Sequence, residues 1–278
     1  MTDQKMPLTA HLEELRKRLI SSFIALAVGF GICYGFKEKL FLFLSRPLQE
    51  HLPEGSTLQY IGIPEAFLTY LKLSLFGGLV LAMPVIFYQL WRFVAPGLYR
   101  SEKNAFLPFL IASPVMFLIG ASFAYYVVLP LAFDFFLGFQ QFGPEGAELG
   151  EVGAGSDLNV QFLGTINEYL GLTMKFVIAF GLCFQLPVLL TLMGKAGLVS
   201  ATGLADMRKY AVVGILVLAA IVTPPDVVTQ VILFVVVYGL YEVSIWLVRW
   251  VEKRREADLK AQGLWDEEIH GVPSKDET

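Results

Sequence analysis

Within HLEELRKRLI, residues 11–20, Glu13 and Glu14 stand beside Arg16, Lys17 and Arg18, directly ahead of an uncharged apolar run. The chemistry open to such a stretch is charge recognition. A carboxylate accepts a guanidinium through two parallel hydrogen bonds, a match that an ammonium does not reproduce. The spacing also offers an internal answer. On a helix Glu13 faces Lys17 and Glu14 faces Arg18, acid first and four residues apart, worth about 0.2–0.5 kcal/mol per pair. Leu8, Leu12, Leu15 and Leu19 supply an apolar stripe at helical spacing. The segment is therefore either a self-paired helix face or an acceptor for a cation brought from elsewhere, and spacing alone favours the first.

Other chemistry-bearing types are sparse. His11, His51 and His270 lie outside the apolar runs. No Ser–His pair, paired aspartates or metal-spaced histidines occur at membrane depth, so no catalytic residue and no metal ligand is assigned. No glycine-rich phosphate loop with a lysine appears, and no cofactor is expected. Cys33 and Cys183, each inside an apolar run, read as small buried hydrophobes. Among polar groups in apolar surroundings, Gln185 in FGLCFQLPVLL lies deepest. It reads as a glutamine bonded to a neighbouring helix or as the polar wall of a wet cavity. Asp226 in TPPD reads as a turn former or helix N-cap. Glu242, Lys72 and Lys175 sit toward span ends, where side chains snorkel to water.

The elements that position these residues are set by apolarity. Of 278 residues 55% are hydrophobic and 17% charged, with mean hydropathy +0.61. That balance excludes an ordinary soluble domain and indicates a polytopic membrane protein. The net charge of −4 argues against a nucleic-acid partner. The first residues mix acids with bases and lack a small-residue cleavage site, so no cleaved signal peptide is expected. Six apolar stretches follow: 19–36, 73–91, 105–139, 169–193, 210–223 and 227–248.

Their lengths are informative. A helix over 105–139 would run about 50 Å against a hydrocarbon core of about 30 Å, so it must tilt, kink or project. The stretch 210–223 would reach only about 21 Å, and TPPD turns the chain straight back. Pro84, Pro114, Pro130 and Pro187 are expected to bend their helices. With six crossings and a cytoplasmic N-terminus, sixteen of the 21 lysines and arginines fall on the cytoplasmic side. The loop 140–168 holds none of them. Both termini are therefore expected to be cytoplasmic. Residues 1–249 form the membrane domain, and 250–278 are expected to be a charged, disordered tail.

PLTAHLEELRKRLI, SRPL at 45–48, PVIFYQLWRFVAPGLYRSEK at 84–103, FAYYVVLPLAF at 123–133 and TPPDVVTQ at 223–230 occur in that order. This conjunction, from about residue 7 to 249, resembles the TatC family, the multispanning receptor of the twin-arginine protein translocase. The resemblance implies an all-α, six-helix, concave glove-like membrane protein whose last two helices are short. It implies binding of signal peptides with two consecutive arginines, and work beside the single-span proteins TatA and TatB and other TatC copies. It also implies export of folded proteins across an energy-transducing inner membrane, driven by the proton-motive force without enzymatic turnover. Residue by residue, Glu14 and Glu102 match positions of signal-peptide recognition, with Leu15, Arg16, Phe93, Pro96 and Tyr99 in support. Pro47 and Asp226 match positions assigned to an external cap and turn. Many relatives carry glutamate where this chain has Gln185, which removes a titratable group from that place.

A secondary transporter or small-solute channel is the competing class. Such proteins pair interrupted spans with midplane charges in both halves, and the two halves here do not echo each other.

Overall fold

In a computed structural model, the structure describes residues 8–50, 59–94, 103–138, 165–224 and 226–261. All regular elements among these are helical. The chain runs α1 (Leu8–Gly35), α2 (Lys37–Gln49), α3 (Glu65–Val94), α4 (Lys103–Phe123), a π-helical segment (Ala124–Val128) and α5 (Leu129–Gly138). It continues as α6 (Ile166–Cys183), α7 (Leu186–Lys195), α8 (Ala201–Asp206), α9 (Arg208–Val222) and α10 (Val227–Ala261). Among the described residues five spans, within α1, α3, α4–α5, α6–α7 and α10, are long and apolar enough to cross a membrane. α9, at 15 residues, reaches about 22 Å and is the short helix expected from the sequence.

α10 differs from expectation. Expected to be short, it runs for 35 residues. Its apolar part gives way to VEKRREADLKA, whose residues favour helix and simply prolong it. Two contacts hold the extension: Lys260 pairs with Glu256 at 2.6 Å, and Glu252 accepts the Ala201 N–H at 2.9 Å, capping α8. Residues 250–261, expected in the tail, thus continue the helix, while 262–278 lie outside the described residues.

Of the four prolines expected to bend helices, Pro130 and Pro187 lie at breaks, where the missing backbone donor interrupts the ladder, whereas α3 and α4 run unbroken through Pro84 and Pro114. Around Pro130 the long third span changes to π geometry, the Leu129 N–H reaching back five residues to Ala124 O. At Pro187 the fourth span is interrupted, α6 ending at Cys183 and α7 starting at Leu186. Pro47, expected in a turn, lies inside α2 and is buried. Its missing N–H would have bonded the Phe43 carbonyl; Tyr125 O–H supplies that carbonyl with a donor instead. Tyr169 O–H donates to Leu44 O at 2.6 Å. Two tyrosines from different spans thereby pin α2 across their ends.

The core fills the space between α3, the third and fourth spans, and α10. Leu73, Phe117, Phe176, Phe180 and Leu233 are fully buried there. α1 stands at the margin, with most of its large apolar side chains exposed, and packs chiefly on α3. That contact is backbone-close: a Cβ at Gly78 would lie 2.5 Å from Phe30 N, and one at Gly29 only 2.6 Å from Gly78 O. The α4–α6 crossing is equally tight, since a Cβ at Gly120 would lie 2.5 Å from Phe180 O.

Candidate functional site

The first half of HLEELRKRLI is not a separate element; α1 starts at Leu8 and passes through it into the apolar run. Both acid–base pairs expected from the spacing are present, in different settings. Lys17 and Glu13 meet at 3.0 Å with side chains 74% and 66% exposed, a pair screened by water and of little energetic weight. Arg18 contacts Glu14 through Nη2 and Oε1, with side chains only 13% and 26% exposed. The Arg18 Nη1 also lies 3.5 Å from the Gln89 carbonyl oxygen near the end of α3, at the outer limit of a hydrogen bond. Its Nε is buried and has no partner among the described residues. Leu15 and Arg16 are exposed beside the pair.

The α1–α3 packing sets this arrangement. Gly29 and Gly78 let the two helices touch, and the antiparallel run of α3 then brings Gln89 alongside Arg18. Phe93, half-buried, lies one turn further along α3. Pro96, Tyr99 and Glu102 lie outside the described residues. α3 ends at Val94 and α4 begins at Lys103, one residue after Glu102.

Gln185 sits at the α6–α7 interruption, where its Nε2 donates to Ser113 O on α4 at 2.7 Å. Trp91 Nε1 on α3 donates to the Ser113 hydroxyl at 2.6 Å, inside the core. Three spans are thus joined by one short polar chain. The Gln185 Oε1 is buried without a partner among the described residues. Of the two sequence readings of Gln185, the bond to a neighbouring helix is the one present.

At the α2 end of the bundle, a cleft of about 270 Å³ is lined by Phe43, Arg46, Pro47, Glu50, Tyr125, Tyr126 and Pro130. Arg46 donates to Glu50 at 2.8 Å, and this bond, with the carboxylate charge, raises the guanidinium pKa further above neutrality. Asp226 caps α10, its Oδ1 accepting the Thr229 N–H at 2.7 Å. Glu242 does not merely reach for water; it holds Arg208 of α9 bidentately at 2.7 and 3.0 Å and accepts Tyr238 O–H at 3.0 Å. Lys72 donates to Asn167 of α6 at 3.0 Å.

Sequence reading missed three of these features: the Arg18 approach to α3, the tyrosine donors to α2, and the Trp91–Ser113–Gln185 chain. One carried a visible signal. A proline inside a helical stretch leaves the carbonyl four residues earlier without its donor, so Pro47 marks Phe43 O as a place to seek a hydroxyl. The other two depend on remote segments meeting and have no local signature.

Residues 10–235 match the family model described as Sec-independent protein translocase protein (TatC). The protein of that name from Magnetococcus marinus is 46% identical over 275 residues, covering 99% of this chain and 95% of its own length. The one from Escherichia coli strain K12 is 37% identical over 248 residues, 89% of this chain and 90% of its own. A crystal structure described as the twin-arginine translocase receptor TatC superposes with a TM-score of 0.74 at 39% identity. It covers 87% of this chain and 99% of that one.

Proposed function

This chain belongs to the TatC family, and from that premise we propose that it binds twin-arginine signal peptides through Glu14 and Glu102. It is a membrane component of a protein translocase, and the transporter or channel reading finds no support among these relatives. The observation that carries the reading of the site is the Glu14 carboxylate. It stands half-buried at the margin of the bundle and is already in contact with a guanidinium. Partial exclusion of water strengthens a charge-assisted bond there relative to the open pair at Glu13.

The N-terminal end of α1 faces the cytoplasm, as the lysine and arginine asymmetry supports. Glu102, from the segment joining α3 to α4, is the second acceptor in this reading, with Leu15, Arg16, Phe93, Pro96 and Tyr99 as supporting residues. Two carboxylates at that rim accept the two guanidinium forks of the signal. TatA- and TatB-type single-span proteins and further copies of this chain assemble around it in an energy-transducing inner membrane. The proton-motive force drives export of the folded cargo. The unengaged Gln185 oxygen offers an acceptor to a polar group on a partner helix, a role that does not need a titratable carboxyl.

The test is copurification of a twin-arginine precursor, set against the same precursor with both arginines changed to lysine. Retention of the first and loss of the second is expected. Signal-peptide crosslinking should fall about tenfold in Glu14→Ala and in Glu102→Ala, given about 1.5–3 kcal/mol for hydrogen bonds to charged groups. Undiminished crosslinking and export in both variants would remove the site.

A further inference from the structure

The Glu14 carboxylate is not vacant. Arg18 occupies its Oε1, while bidentate acceptance of an arriving guanidinium needs both oxygens. Any arginine that docks in that fashion must first move the one already there. Arg18 is well placed to resist and yet to yield. Its side chain is largely buried, so its charge leans on Glu14 for compensation. Its hold is nonetheless incomplete: the contact to Gln89 O is long, and Nε has no partner among the described residues. The neighbouring Lys17–Glu13 pair, open to water, carries no comparable constraint.

We propose that Arg18 is a resident competitor, an internal guanidinium that keeps Glu14 closed until a better-matched external one displaces it. The proposal rests on Glu14 being an acceptor for the signal's arginine. Competition of this kind sets an affinity threshold that a weakly matched ligand fails to clear. A ligand that supplies only charge exchanges one cation for another with little gain, whereas a planar fork recovers two parallel bonds. An ammonium therefore fails to displace Arg18 where a guanidinium succeeds. Arg18 sets the threshold, and Glu14 supplies the acceptor.

The experiment uses the full chain in lipid nanodiscs, with a synthetic twin-arginine signal peptide and its twin-lysine counterpart as probes. In Arg18→Gln the twin-arginine peptide should bind about three- to tenfold tighter, less than the full worth of a charge-assisted bond because a displaced Arg18 regains water. The twin-lysine peptide, which must displace the same arginine, should gain by a similar factor. The gain should vanish when Glu14→Gln is added. Lys17→Gln removes the same charge from the exposed pair and should change binding by less than about twofold. If it tightens binding as much as Arg18→Gln, the effect is one of net field and the proposal fails. Unchanged or weaker binding in Arg18→Gln also overturns it, because Arg18 then positions Glu14 rather than blocking it. Should Arg18→Gln not fold, Arg18→Lys serves: a smaller gain of the same sign supports competition, and no gain overturns it. Failure of the underlying reading shows separately, as twin-arginine binding left intact by Glu14→Gln alone; the competitor then falls with its acceptor.

Discussion

At the scale of single residues, the same bond type has different worth according to where it sits. Glu13–Lys17 and Glu14–Arg18 share spacing and chemistry, yet only the second is sheltered by α3. Exchanging Glu13 for Gln should cost less than about 0.5 kcal/mol of stability and leave peptide binding unchanged. Thermal unfolding in detergent and peptide titration check both statements. A second residue-scale expectation concerns Pro47. Because Tyr125 O–H donates to the carbonyl that Pro47 leaves without its helical donor, Tyr125→Phe should destabilise by about 1–3 kcal/mol. In a Pro47→Ala background the restored N–H can serve Phe43 O, and the penalty for Tyr125→Phe should shrink. A double-mutant cycle reads the coupling, and additive penalties would dismiss the mechanism.

At the scale of elements, α1 depends on α3. The Gly29–Gly78 approach leaves no room for a Cβ, and the atoms in the way are backbone, which cannot swing aside. Gly78→Ala should therefore push α1 off α3 and cost about 1–3 kcal/mol. It should also carry Glu14 away from the α3 end of the site and weaken signal-peptide binding without substituting a site residue. Limited proteolysis of the α1–α3 pair, alongside binding, measures the two effects together. The π-helical segment and the α6–α7 interruption have a shared origin in proline chemistry, at Pro130 and Pro187. A capped turn joins the last two helices, and Asp226→Ala should lower stability by about 0.5–2 kcal/mol through loss of the α10 cap.

At the scale of the whole molecule, apolar helices of very unequal length lie side by side. α9 reaches about 22 Å, while α10 would reach about 52 Å. A hydrocarbon core of about 30 Å matches neither, so a crossing by α9 would require the bilayer to thin locally, and α10 is long enough to project from it. The α10 projection is the part that caps α8 through Glu252. Reconstituted in bilayers of increasing acyl length, the protein should lose thermal stability progressively, since a mismatch costs a fraction of a kcal/mol per Å. A flat stability profile from short to long chains would contradict a local adaptation of the membrane to α9.

Much of this architecture follows from sequence alone, because it rests on properties each segment carries with it. Apolar run length places the spans, the missing proline N–H places the breaks at Pro130 and Pro187 though not at Pro84 or Pro114, and i,i+4 spacing places both ion pairs of α1. The helical extension of α10 was also latent there, in residues that favour helix, although their charge suggests a tail. Tertiary structure alone decided which pair is sheltered, which hydroxyl answers Phe43 O, and that Trp91, Ser113 and Gln185 form one chain. Those outcomes depend on residues 22 to 82 positions apart meeting within hydrogen-bond range. Such a meeting is a product of packing between whole helices, and no local pattern encodes the distance across which it occurs.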